Sequence, residues 1–196
     1  MNCPEYIEVN NKRFKINTDF RVALKCNQIA EDENIGEFES ALAIIYLLFG
    51  EDALNEKDFL NDFLKLAKKY LYCNKPEKKS NKKPDMDYIE DMDYIEASFM
   101  SDYNIDLANT NMHWWKFYKL INGLSDSEFG NCCILNRVRN IRNMKVNEIK
   151  DTKERNRMIE IQKDLELEKN KKSKKLTKKQ IESMRELDRL LKGRKE

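Results

Sequence analysis

An all-α fold is predicted by three features of the chain. Only 5 Gly and 3 Pro occur in 196 residues, too few for the tight turns of an all-β fold. Charged residues make up 37%, well above the usual quarter. Apolar residues recur at intervals of three and four through most of the length. With 40% hydrophobic residues, the chain can build one core of ordinary size, or a smaller domain followed by an extended tail. The longest apolar run, residues 41–49, is far short of the roughly 20 residues that span a bilayer, so no membrane segment is expected. The opening residues lack the basic, apolar, small-residue layout of a cleaved leader, which predicts a cytoplasmic address.

Residues 7–17 alternate weakly, and the polar break at Asn10 and Asn11 suits a hairpin turn. Thr18 reads as the N-cap of an amphipathic helix carrying Phe20, Ala23, Leu24, Cys26 and Ile29, which fades in the acidic stretch 31–33. Gly36 opens a second helix containing ALAIIYLLF. That run is apolar on every side and therefore expected at the centre of the core, with Gly50 placed to stop it. Phe59, Leu60, Phe63, Leu64, Ala67, Tyr70 and Leu71 define a third helix with one buried stripe. Residues 74–84, NKPEKKSNKKP, offer no apolar group except two prolines and read as an exposed, mobile linker.

A tandem hexapeptide follows, DMDYIE at 85–90 and again at 91–96. Six residues advance a helix by about 600°, so the copies cannot present equivalent faces. Tyr88, Met92, Ile95, Phe99 and Tyr103 share one side while Tyr94 points away, and the duplication reads as a helix extension. The central glycine of a calcium loop is absent. Residues 109–111 offer N-caps for a helix through MHWWKFYKLINGL, with His113, Trp114, Phe117, Leu120, Ile121 and Leu124 on one face. Trp115 lies about 100° from Trp114, so either a neighbouring helix covers it or it is an exposed aromatic anchor. Ser125 and Glu128 form a capping box for a helix containing Phe129, Cys132, Cys133, Leu135 and Val138.

Beyond Asn140 the composition turns to Lys, Glu, Arg and Asn. Met158, Ile161 and Leu165 keep a thin stripe. Thr177 and Gln180 cap a last segment bearing Ile181, Met184, Leu187 and Leu191. The expected organisation is a compact body of five or six helices over 1–142, interrupted by the linker, then a charged helical arm over 143–196. The narrow seams of the arm need partners, from the body, from each other or from another chain.

Residues 131–196 hold 21 Lys and Arg against 11 Asp and Glu, a net +10, whereas residues 1–130 hold 16 against 24, a net −8. Such a dipole suits a basic arm for nucleic acid, or an arm and body that attract each other or neighbouring copies. The interleaved acids favour a solvated helix, and nucleic acid is not the expected partner.

No GxSxG, GxxxxGK[ST], HExxH or GxGxxG string occurs. Cys3, Cys26, Cys73, Cys132 and Cys133 lack CxxC spacing and read as reduced, small apolar side chains. His113 is the only histidine, and a zinc site would need two cysteines to converge on it from distant segments. A nucleophilic Cys132 or Cys133 beside His113 is the alternative to burial. Asp85 and Asp87 read as incidental to an acidic stretch. No catalytic, metal-binding or cofactor-binding residues are assigned, and the chain is not expected to be an enzyme.

The strings DMDYIEASF at 91–99, YNIDL at 103–107, MHWWKF at 112–117 and LINGL at 120–124 carry a resemblance. With TDFR at 18–21, LFG at 48–50 and VRNIR at 138–142, they resemble the gene-product-fifteen family of small tailed-phage proteins. The resemblance spans roughly residues 14–165; the duplicated hexapeptide and residues 166–196 depart from the pattern. It implies a helical protein encoded between the major tail protein and the tape measure of long-tailed phages and prophages, the position of tail assembly chaperones. It further implies a protein that works without nucleotide or other cofactor in the cytoplasm of the bacterial host. There it would bind the tape-measure protein and be lost as tube subunits polymerise. Other tail-assembly proteins and further copies of the chain are additional expected partners. Candidate gripping residues for an amphipathic helix are Tyr94, Trp115, Tyr118 and Lys119, with Ile181 and Met184 on the C-terminal seam. A structural minor tail component and a nucleic-acid module built on the basic arm are the competing readings.

Overall fold

Asn10 and Asn11 both adopt positive φ, 49° and 57°, which a two-residue hairpin turn requires and which asparagine tolerates better than most residues. They join β1, Tyr6–Val9, to β2, Lys12–Lys15, in an antiparallel register that pairs Ile7 with Phe14. Val9 and Phe14 point inward, and Phe14 meets Phe63 edge to face at 4.9 Å between ring centroids. A computed structural model describes residues 3–76, 83–126 and 132–171, and this hairpin is its single sheet among them. Everything else that is regular is helical, so the fold is mainly all-α.

Helix α1, Phe20–Glu31, starts one residue later than expected, because the carboxylate of Asp19 and not the Thr18 hydroxyl accepts from the Arg21 amide. Its antiparallel neighbour α2, Glu37–Phe49, follows Gly36 and stops at Gly50, whose φ of 81° disfavours any side chain. A short α3, Glu51–Asn55, leads to α4, Leu60–Leu71, where Phe63, Ala67 and Tyr70 are buried as the spacing predicted. Of the linker expected at 74–84, residues 77–82 lie outside the described residues.

The duplicated hexapeptide does not form one helix. Helix α5, Met92–Tyr103, begins inside the second copy, while residues 85–91 form turns whose amides are held by acidic side chains. Ile95 and Phe99 are buried, and Asn104 ends the helix in a left-handed conformation. Helix α6, Trp114–Ile121, is capped by His113, not by residues 109–111. Helix α7, Ile134–Asn143, starts later than the capping-box reading: Cys133 is its N-cap, and Glu128 and Phe129 lie outside the described residues. The amide of Leu135 is met by the hydroxyl of buried Ser98, which fixes α7 on α5.

Residues 143–171 do not stand away from the body. Helix α8, Thr152–Asp164, packs on α7, and Gln162 donates to the carbonyls of Ile141 and Met144. The chain then returns to bury Leu167. Ile181 and Met184, with the capped segment that carries them, lie outside the described residues. No helix among the described residues is long and apolar enough to cross a membrane.

Candidate functional site

The two tryptophans of HWWKF act on α4. A helix leaves its last four carbonyls without intrahelical partners. Trp114 donates its indole N–H to the carbonyl of Leu71 and Trp115 to that of Tyr70, both at 2.9 Å, so consecutive side chains clamp consecutive carbonyls at the end of α4. Trp115 stacks on the Tyr70 ring and is only 6% exposed. Of the two alternatives that the sequence left for Trp115, cover by a neighbouring helix holds and exposure does not: the end of α4 covers the side that the helical wheel of α6 alone leaves open.

His113 has both ring nitrogens committed. Nδ1 accepts from the Trp115 amide, so Nε2 carries the proton and donates to the carbonyl of Pro4 at 3.0 Å. The Cys133 sulfur accepts from the Asn136 amide as the cap of α7, and burial pushes the Cys26 thiol up to about 12. All five cysteines are thiols. Among the described residues no group of three or more His, Cys, Asp and Glu is placed to hold a metal ion.

The remaining motif strings meet around the same point. Asp19 and His113 form an antiparallel bridge, with Phe20 N–H donating to the Met112 carbonyl and Trp114 N–H to that of Thr18. Phe20 stacks on Phe117 at 4.6 Å, and Phe99 lies on Phe117 nearly parallel at 5.3 Å. Arg21 donates to the carbonyls of Leu107, Ala108 and Thr110, holding the loop between α5 and α6. TDFR, YNIDL and HWWKF thus form one structural unit, and residues distant in sequence explain each other.

DMDYIE and VRNIR meet in a second unit. Arg142 grips Asp91 through both guanidinium Nη atoms at 2.7 Å, with Arg142 9% and Asp91 1% exposed. The same guanidinium donates to the carbonyls of Asp85 and Leu165. Arg139 and Asn143 bind the Asp85 carboxylate. Asp85 and Asp87 are therefore not incidental. Asp87 accepts from Lys169 and from the amides of Ile89 and Glu90. Burial alone would raise its pKa, but these three bonds outweigh it and hold the carboxyl below the usual carboxylate range. Its folded value lies below an unfolded value of about 3.9. The stability it adds is thus present above that value and lost as pH falls through the folded one. Asp87→Asn is expected to leave a shallower decline of urea-measured stability below about pH 4 than the wild type shows.

Of the other gripping residues assigned from sequence, Tyr118 is half-buried, edge-on to Trp114, with the Lys75 ammonium 4.7 Å from its ring centroid. Lys119 is exposed and Tyr94 half-buried against the core. The structure does not gather these into one groove with Trp115.

A different surface is left open. On α2, Ile44, Ile45, Leu48 and Phe49 are buried, but Phe38 is 67% exposed and Tyr46 54%, with half-buried Leu42 between them at four-residue spacing. Exposed Ile35 extends this stripe at one end. At the other, Tyr46 borders an open cleft of about 780 Å³ lined also by Asn17, Thr18, Gly50, Asn111 and His113. The sequence reading placed all of this helix in the core. The signal was its all-round apolarity: among the described residues no element covers the outer face.

No curated protein and no solved structure matches the chain significantly. A family model does: that described as Bacteriophage Gp15 protein matches residues 2–167, the hairpin, both motif units and α8 included. The chain belongs to this family of bacteriophage proteins.

Proposed function

We propose that the chain is a tail-assembly protein, acting as a chaperone that binds the tape-measure protein during tail morphogenesis in the host cytoplasm. The observation that carries this reading is the apolar stripe of α2, which no other element among the described residues covers. Phe38, Leu42 and Tyr46 repeat at the spacing by which an amphipathic helix is gripped, and they stand in an acidic surround of Glu37, Glu39 and Glu51. A long helical polypeptide exposing apolar seams is the kind of client such a face fits. Burial of two aromatic side chains supplies the affinity, and release follows when another surface competes for the same seam. The role uses binding alone and requires no reaction and no cofactor.

Co-expression with the tape-measure protein encoded beside it tests the proposal. The expected result is a soluble tape-measure protein that co-purifies at about 0.3 M salt, where surface charge contacts are screened within about 6 Å. A folded chain that neither solubilises nor retains it would contradict the proposal. Peptides of this chain in purified virions would then favour a structural tail component.

A further inference from the structure

The α2 stripe has a candidate occupant within the same molecule. The described chain ends near the turn that leads into α2. Lys169 lies 2.9 Å from the Asp87 carboxylate and 3.8 Å from Glu31, the last residue of α1, and Asn170 donates to the Pro84 carbonyl. From Glu31 a short acidic turn leads directly into α2, around a hollow lined by Ile29, Glu33, Ile35 and Glu37. Lys169 is anchored firmly there: burial would lower its pKa, but the Asp87 hydrogen bond and the charges of Asp87, Glu31 and Glu90 raise it instead.

Twenty-five residues follow Lys171, with ten Lys and Arg against four Asp and Glu. The segment that contains α2 has the opposite sign. Between Lys25 and Lys57 the chain contains eight Asp and Glu and no Lys, Arg or His. Ile181, Met184, Leu187 and Leu191 recur at three and four residues, a narrow seam that matches one apolar stripe. Reach is sufficient. Residues 172–176 span up to about 17 Å when extended, a 15-residue helix is about 22 Å long, and Phe38 to Tyr46 is about 12 Å along α2.

We propose that residues 177–191 dock on the outer face of α2, with Ile181 and Met184 against Phe38, Leu42 and Tyr46 and the flanking lysines against Glu33, Glu37 and Glu39. The face is then self-covered, and any partner helix must displace the chain's own C-terminal segment. This inference does not depend on the identity of the partner.

Hydrogen exchange read by mass spectrometry on the full chain tests it. In an Ile181→Asp/Met184→Asp double variant, peptides covering residues 35–49 are expected to exchange about tenfold faster than in wild type, a shift of about 1.4 kcal/mol in opening free energy. Peptides of α6 should be unchanged, which shows that the body remains folded. A synthetic 172–196 peptide added in trans should restore slow exchange. Equal exchange over 35–49 in wild type and variant would overturn the proposal. So would wild-type protection that disappears on tenfold dilution, because a second copy would then be the occupant. Independently, zero-length carbodiimide coupling should join Lys178 or Lys179 to Glu33, Glu37 or Glu39 within the monomer; absence of those links overturns it too.

Discussion

Trp114→Ala is expected to destabilise the protein by about 3–5 kcal/mol, and Trp115→Ala by a similar amount. Both changes remove a large buried ring and its indole donor together. Trp114 is 1% exposed and lies against Phe117, Tyr88 and Tyr118, so truncation opens a cavity in the middle of the aromatic stack. It also leaves the Leu71 carbonyl at the end of α4 without its indole partner. A domain of this size is typically stable by about 5–15 kcal/mol, so either variant should lose a large part of its margin. Urea denaturation checks this as a fall in midpoint with an unchanged slope. Trp115→Phe separates the two contributions. It keeps aromatic burial against Tyr70 and removes only the hydrogen bond to the Tyr70 carbonyl, for an expected cost of about 1 kcal/mol. That carbonyl also accepts from the Cys73 amide, which limits the loss.

Asp91→Ala is expected to cost about 3–5 kcal/mol, because it strands a buried guanidinium. Arg142 touches three segments at once: the Asp91 carboxylate, the Asp85 carbonyl and the Leu165 carbonyl. Removing its anion leaves the charge 9% exposed with only neutral acceptors. Arg142→Ala should be comparably damaging, since it strands Asp91. The double variant should cost less than the sum of the two, by about 2–4 kcal/mol, because neither partner is then left buried and charged. Chemical denaturation of all four chains closes the cycle. Near-additive losses would show that the two groups act independently and that Asp91 and Arg142 do not form one unit.

The hairpin, the first helices and α4 were legible because their signals are local. Two asparagines suited a tight turn, Gly36 and Gly50 bracketed an apolar run, and Phe63, Ala67 and Tyr70 kept helical spacing. What was not legible depends on distant partners. The two DMDYIE copies are identical in sequence, yet only the second enters α5. The first is held in turns by Arg139, Arg142 and Lys169, residues 54–82 positions away. Trp115 lies off the main face of α6 and is buried by the end of a helix 45 residues earlier. The start of α7 was misplaced because a cysteine sulfur caps it, outside the usual set of capping side chains.

The candidate site lies on α2, away from the aromatic string of α6. The aromatic residues of α6 form a recognisable string, but most of those rings are spent on the core. The exposed aromatics of α2 come from a segment that looked wholly internal. A helix apolar on every side needs cover on every side, and among the described residues the fold provides it on only one.

The most direct test of the account compares three chains for capture of the tape-measure protein on co-expression, at about 0.3 M salt, where charge contacts are largely screened. These are the wild type, Phe38→Ser/Tyr46→Ser and Tyr118→Ala/Lys119→Glu, each first shown to be folded. The account predicts capture by the wild type, loss of at least about tenfold in affinity, or about 1.4 kcal/mol, in the α2 variant, and retention in the Tyr118/Lys119 variant. Undiminished capture by the α2 variant, or none by the wild type, would contradict it.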